Sequence, residues 1–279
     1  TASIGIAAYP IDASEIEILC SNADMAMYRA KYAGKNSFSF YDNQLMEELV
    51  KRHELENDLK QAISNNELFL LYQPKVCLAT GKFNSAEALI RWRHPKYGLI
   101  NPAEFINIAE ESNSIIEIGL WVMSTACHQL MLWREQYDFR CIAVNVSSVQ
   151  LQQTSFSHDV LSILTDLKCP AECLEIEQTE SWIMDNPALN IAVLSKLKKI
   201  GVRLSLDDFG TAYSSLSQIG RLPLDILKID KSFIDHCVEK QNDHMIVRTI
   251  IQLGHNLGMK IVAEGVETDA QRQLLQQEG

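Results

Sequence analysis

Apolar residues along this chain come in short runs separated by polar, helix-favouring stretches, and the two alternate over most of its length. From residue 68 onward the apolar runs predict strands at 68–72, 84–92, 141–146, 174–178, 203–206, 226–229 and 260–263. Helical spacing of apolar positions fills most of the gaps, at 102–110, 115–136, 156–167, 190–200 and 243–257. Gly201 and Gly258 stand where a helix should stop before the next strand. Repeated strand–helix units with short links predict a parallel sheet, and this many favour a β/α barrel over an open sheet. Only the link CLATGK separates the first two strands, too short for a crossover, so these should pair antiparallel. The fold class is α/β: a modified TIM barrel with an antiparallel first pair. The chain stops after the seventh strand and part of the next helix, so the barrel is expected to lack its final strand.

Two segments precede the barrel. Residues 1–42 read as a strand at 3–8, a helix at 14–32 and a short strand at 37–41. That is too little for a secure core, which predicts the end of a larger α/β domain. Residues 43–63 are polar and helix-favouring, with Leu45, Leu49, Leu55, Leu59 and Ile63 forming a narrow apolar stripe, as in a connecting helix. The barrel is assigned to 64–279.

Composition narrows the setting. Hydrophobic residues make up 47% of 279, enough to bury a large core. No run of eighteen residues is both uncharged and apolar, which predicts no membrane span and no membrane contact from this fragment. Residues 1–10 lack the charged start and cleavage region of a signal peptide, and the absence of Met there places the natural N-terminus upstream. The seven cysteines are scattered without a C-x-x-C pair, which predicts reduced thiols in the cytoplasm; tethering of a longer parent to the inner membrane stays open. Cys169 and Cys173 suggest half a zinc site, but no neighbouring pair in the sequence completes it. A net charge of −11 argues against binding a nucleic acid duplex through its phosphates. A small anionic ligand remains compatible, because a bound cation reverses the local sign.

In a β/α barrel the reactive groups lie at the carboxyl ends of the strands. Read there, the chain gives Glu87 in the second strand, Asn145, Glu177, the pair Asp207–Asp208, Lys228 and Glu264. Each interrupts or ends an apolar run, where a carboxylate is costly to bury unless paired or metal-bound. Taken singly, each has an ordinary explanation: a rim carboxylate, a turn-forming Asn, or an N-cap for Asp207–Asp208. Their recurrence at successive strand ends does not. Carboxylates with an amide oxygen and no His suit Mg²⁺ or Mn²⁺ better than zinc. Adjacent Asp207 and Asp208 could serve two ions about 4 Å apart, as in two-metal phosphoryl-transfer sites. Lys228 could orient a water or stabilise developing charge, and Glu264 could accept a proton or hold metal. There is no G-x-S-x-G elbow, no P-loop and no G-x-G-x-x-G fingerprint.

The segment AEALIRW (86–92) resembles the signature of EAL-domain phosphodiesterases. The likeness continues through YQPKV (72–76), PAEFI (102–106), NVS (145–147), EQTES (177–181), DDFGTAYSSL (207–216), LKIDKSFI (227–234) and AEGVET (263–268), in order. This resemblance implies hydrolysis of cyclic di-GMP to linear pGpG with Mg²⁺ or Mn²⁺. It implies Glu87, Asn145, Glu177 and Asp207 as metal ligands, Asp208 for a second ion, Lys228 beside the catalytic water, and Glu264 as general base or metal-site carboxylate. It further implies Gln73 and Arg91 as substrate contacts, Arg91 to phosphate, with Leu89 packed beside the ligand. Glu180 would pin the 207–215 loop, Glu267 would support the far side of the site, and the protein would form a homodimer. Two positions depart from the family pattern: Gln178 replaces an aliphatic residue, and Ala212 stands where Gly is common. Residues 3–10 and 23–38 resemble the end of a GGDEF domain, without its signature loop. The alternative to catalysis is a cyclic di-GMP receptor that signals through the linker helix.

Overall fold

The computed structural model describes residues 2–32, 36–210 and 219–279. It divides into two compact units, 1–62 and 63–279. In the first, β1 (Ile4–Ile6) and β2 (Phe38–Phe40) pair in parallel, Ile4 opposite Phe38, with α1 (Ile16–Tyr32) as the crossover. The helix lies directly on the strand. A Cβ at Gly5 would stand 1.8 Å from the Ala23 carbonyl oxygen, so only glycine fits there. α2 (Asn43–Leu59) follows. Leu55 and Leu59 of its predicted stripe are buried, Leu49 is half-buried, and the side chain of Leu45 lies outside the described ones.

The second unit is the barrel sheet. Its strands are β3 (Leu68–Val76), β4 (Phe83–His94), β5 (Gly98–Ile100), β6 (Cys141–Asn145), β7 (Leu174–Thr179), β8 (Arg203–Phe209), β9 (Ile226–Ile229) and β10 (Lys260–Ala263). They run in the order β10-β9-β8-β7-β6-β4-β3, with β5 paired to β4. β3 and β4 are antiparallel, as the short link requires, and β4 through β10 along this order are parallel. The helices are α3 (Pro102–Glu111), α4 (Ile115–Gln136), α5 (Ser148–Leu151), α6 (Phe156–Asp166), α7 (Glu180–Asp185), α8 (Pro187–Ile200), α9 (Lys231–Ile234), α10 (Gln241–Asn256) and α11 (Asp269–Glu278). Gly201 ends α8 in the left-handed conformation, at φ 102°.

Alternate strand residues build the core. Ile142, Val144, Leu174, Ile176, Leu204, Leu206, Leu227 and Ile229 are buried, as are Met123, Leu130, Val160, Leu194 and Val247 on the helices. Each such side chain contributes about 1.5–3 kcal/mol by leaving water. Trp92 is fully buried, edge-on to Phe105 with ring centroids 5.6 Å apart, and its Nε1 donates to Glu67 at 3.0 Å. Among the described helices α4 alone is long and apolar enough to cross a membrane by length and composition, with a mean hydropathy of 1.3 over eighteen residues. It instead buries Ile115, Ile118, Val122, Met123, Ala126 and Leu130 in this unit, where it packs on β6 and α6.

Two strands, β3 and β8, run three or more residues past the ends of their apolar runs. β3 continues through Pro74, whose missing N–H is harmless because, among the described residues, this strand stands at the end of the sheet order beside β4. β8 continues through Asp207 and Asp208 by an irregularity in its pairing with β9. The short elements β5, α5, α7 and α9 span three to six residues, too few to display a period.

Candidate metal centre

Strand register gathers the polar positions. Gln73 lies opposite Glu87, Asn145 opposite Glu177, and Thr179 opposite Asp207. A two-residue period then stacks Glu87, Leu89 and Arg91 along one face of β4, while Ala86, Ala88 and Trp92 are buried on the other. Adjacent strand residues normally face opposite sides, so Asp207 and Asp208 need a device to share one. Asp208 supplies it with φ +53°, in the left-handed region, at the irregularity of β8. Its backbone N–H donates to Asp207 Oδ1 at 2.9 Å.

At the centre stands the ammonium of Lys228, on β9 and 1% exposed. Its Nζ lies 2.6 Å from Glu264 Oε1, 2.7 Å from Glu177 Oε2, 3.0 Å from Asp207 Oδ1 and 3.3 Å from Glu87 Oε2. Asn145 Nδ2 donates to Glu87 Oε1 at 2.7 Å, leaving its amide oxygen available as a ligand. Ligand oxygens of Asp207, Asp208 and Glu264 all lie within 4.8 Å of one another. The donor set therefore fits a hard divalent ion: carboxylate oxygens from three strands and one strand end converge on the Lys228 ammonium, with the Asn145 amide beside Glu87.

Electrostatics point the same way. Burial pushes the Glu87 carboxyl up, with Glu177 adding to the rise, against the pull of Lys228 and Lys75. Burial also raises Glu264, and raises Asp208 with help from Asp207. At Glu177 burial again works upward, but Lys75 and Lys228 outweigh it and hold the carboxyl below its usual range. For Lys228 burial works downward, yet Glu177, Asp207, Glu87 and Glu264 together hold it well above an ordinary lysine. Carboxylates outnumber ammonium groups here, so further positive charge would be bound favourably.

The remaining expected residues lie around this group. Glu180 is buried, and its Oε2 accepts from the Gly210 N–H at 2.8 Å. The rest of the loop it was expected to pin, with Ala212, lies outside the described residues. Gln178, the departure from an aliphatic residue, is buried and donates through Nε2 to the Val146 carbonyl. Gln73 is exposed, Leu89 and Arg91 are half-buried, and Arg91 Nη1 donates to the Ile90 carbonyl at 2.8 Å. Glu267 is exposed and pairs with Lys231 at 2.6 Å rather than with the central group. Two residues were missed. Lys75 lies 2.7 Å from Glu177 Oε1 and 2.8 Å from Glu175 Oε1. The two-residue spacings Gln73–Lys75 and Glu175–Glu177 carried the signal.

Gly210 offers a test of the loop's anchorage. It has φ +99°, and a Cβ would stand 2.7 Å from the Phe233 ring. Gly210→Ala is expected to cost about 1–3 kcal/mol, read from urea unfolding, because both torsion and ring contact oppose it.

Residues 56–279 match the EAL domain family. The chain is 42% identical over 277 residues to the bifunctional diguanylate cyclase/cyclic di-GMP phosphodiesterase MucR of Pseudomonas aeruginosa, covering 99% of this chain and 40% of that protein. It is 40% identical over 278 residues to the cyclic di-GMP phosphodiesterase NbdA of the same organism, covering 99% and 36%. The chain thus spans well under half the length of these relatives. The solved PaMucR phosphodiesterase, in complex with c-di-GMP, superimposes with a TM-score of 0.77 at 41% identity, covering 81% of this chain and 92% of that one.

Proposed function

Because this chain belongs to the EAL domain family, we propose that it hydrolyses one phosphodiester bond of cyclic di-GMP, giving linear pGpG. The observation that carries the proposal is the convergence of Glu87, Glu177, Asp207 and Glu264 on Lys228 Nζ, within 3.3 Å. Glu87, Asn145, Glu177 and Asp207 would hold one Mg²⁺ or Mn²⁺, with Asp208 serving a second. When bound, such ions acidify a water and neutralise phosphate oxygens. Glu264 takes the proton of the attacking water, or serves as a further metal-site carboxylate. Lys228 donates to that water and stabilises charge developing on the phosphoryl oxygens. As the new P–O bond to the water oxygen forms, the ester P–O bond to one ribose breaks, and the leaving oxygen takes up a proton from solvent.

Arg91 would contact a phosphate, Gln73 the nucleotide beside Glu87, and Leu89 would pack against the ligand on the same face of β4. Glu180 would pin the 207–215 loop, and Glu267 would support the far side of the site. Residues 1–42 would be the end of a GGDEF domain and 43–63 a connecting helix, leaving 64–279 as the phosphodiesterase barrel. The active form would be a homodimer, which a size measurement in solution checks.

Incubation with cyclic di-GMP and Mn²⁺ is expected to yield pGpG, and chelation with EDTA to stop it. Ligand binding without turnover, unaltered by Glu87→Ala, would instead indicate a receptor.

A further inference from the structure

Lys75 has no part in the reaction proposed above, yet both carboxylates of β7 depend on it. Its Nζ lies 2.8 Å from Glu175 Oε1 and 2.7 Å from Glu177 Oε1, and the three side chains are 15%, 4% and 0% exposed. Glu177 therefore carries one lysine on each oxygen: Lys75 on Oε1, and Lys228 on Oε2 at 2.7 Å. The other oxygen of Glu175 faces the Cys141 thiol, 3.9 Å away. These contacts form a line from Glu175 through Lys75 to Glu177, ending at the point where the remaining carboxylates meet.

We infer that Lys75 is a positioning residue for Glu177. Resting on the phosphodiesterase reading, this assigns Lys75 the task of tying down Oε1 so that Oε2 alone faces the ion, with Glu175 anchoring Lys75 in turn. The terminal torsion of a Glu side chain is broad and roughly two-fold, so an untethered carboxylate samples several orientations. A tethered one meets an incoming ion already aligned, which is how partners of metal ligands raise affinity. Simple Coulomb repulsion makes the opposite forecast. An ammonium beside the site opposes a second cation, so its removal should strengthen metal binding. The sign of the effect separates the two accounts.

The test is Mn²⁺ binding by the full chain, measured by titration calorimetry without nucleotide. Lys75→Met keeps an unbranched apolar stem, one heavy atom shorter, and removes the donors; it is expected to bind Mn²⁺ about 10–100-fold more weakly. Lys75→Gln retains an N–H donor on a side chain one atom shorter and is expected to recover part of that loss. At saturating Mn²⁺ the KM for cyclic di-GMP should stay within about threefold of the parent, since no substrate contact has changed. Equal or tighter Mn²⁺ binding by Lys75→Met overturns the inference. Should that variant not fold, Lys75→Gln is judged alike: weaker binding supports the tether, equal or tighter binding overturns it. A parent that binds no Mn²⁺ refutes the phosphodiesterase reading and the tether with it. A parent that binds Mn²⁺ and turns over cyclic di-GMP beside an unimpaired Lys75→Met refutes the tether alone.

Discussion

Glu177→Gln is expected to lower Mn²⁺-dependent hydrolysis of cyclic di-GMP by about a thousandfold or more, leaving the barrel folded. Glu177 is 1% exposed and held below the ordinary carboxylate range by two lysines, so it is the member best prepared to stay charged in the interior. An amide in its place keeps the shape but offers a much weaker ligand. Both lysines retain other carboxylates, Glu175 for Lys75 and Glu87, Asp207 and Glu264 for Lys228. The fold should therefore survive. Chromatography of pGpG gives the rate, calorimetry the Mn²⁺ affinity, and circular dichroism the integrity of the barrel. Activity within tenfold of the parent, in a folded variant, would remove Glu177 from the site.

Lys228→Met is expected to act in opposite directions on stability and on metal binding. In EDTA it strips the shared cation from four carboxylates, three of them within 3.0 Å of Nζ, and breaking such buried pairs costs about 3–5 kcal/mol. With the ammonium gone, less positive charge opposes Mn²⁺ at the carboxylates, so the rise in Tm on adding Mn²⁺ should exceed that of the parent. Turnover should nevertheless fall by about 10²–10⁴-fold, because the donor to the water and to the developing charge is gone. Thermal unfolding with EDTA and with Mn²⁺, beside a rate assay, reads all three effects. A variant as stable as the parent in EDTA would show that the lysine does not neutralise the ring.

The alternation of apolar runs made the parallel part of the sheet legible, and the brevity of CLATGK gave the antiparallel β3–β4 pair. Those features depend on local spacing, which a sequence displays directly. Lys75 lies past the apolar run 68–72, which is all that hydrophobic spacing shows of β3, and the strand reaches it through Pro74. Once β3 was cut short at residue 72, Lys75 had no place in the barrel. Glu175 was lost differently. Its neighbour Glu177 already marked the strand end, and nothing local shows that a deeper carboxylate is satisfied by a lysine a hundred residues away. Lys228 was recognised, but as a residue beside a water. That it gathers Glu87, Glu177, Asp207 and Glu264 is a property of register between strands and of no single motif.

The left-handed turn of the backbone at Asp208 restricts what mutation can place there. Among ordinary residues only Gly, Asn and Asp accept that torsion readily, so a library saturated at this codon should return few other well-folded members. Asn keeps the bend and discards the charge. Position 208 thus offers a single-step route to a barrel that retains its architecture and loses one of the acids at its mouth.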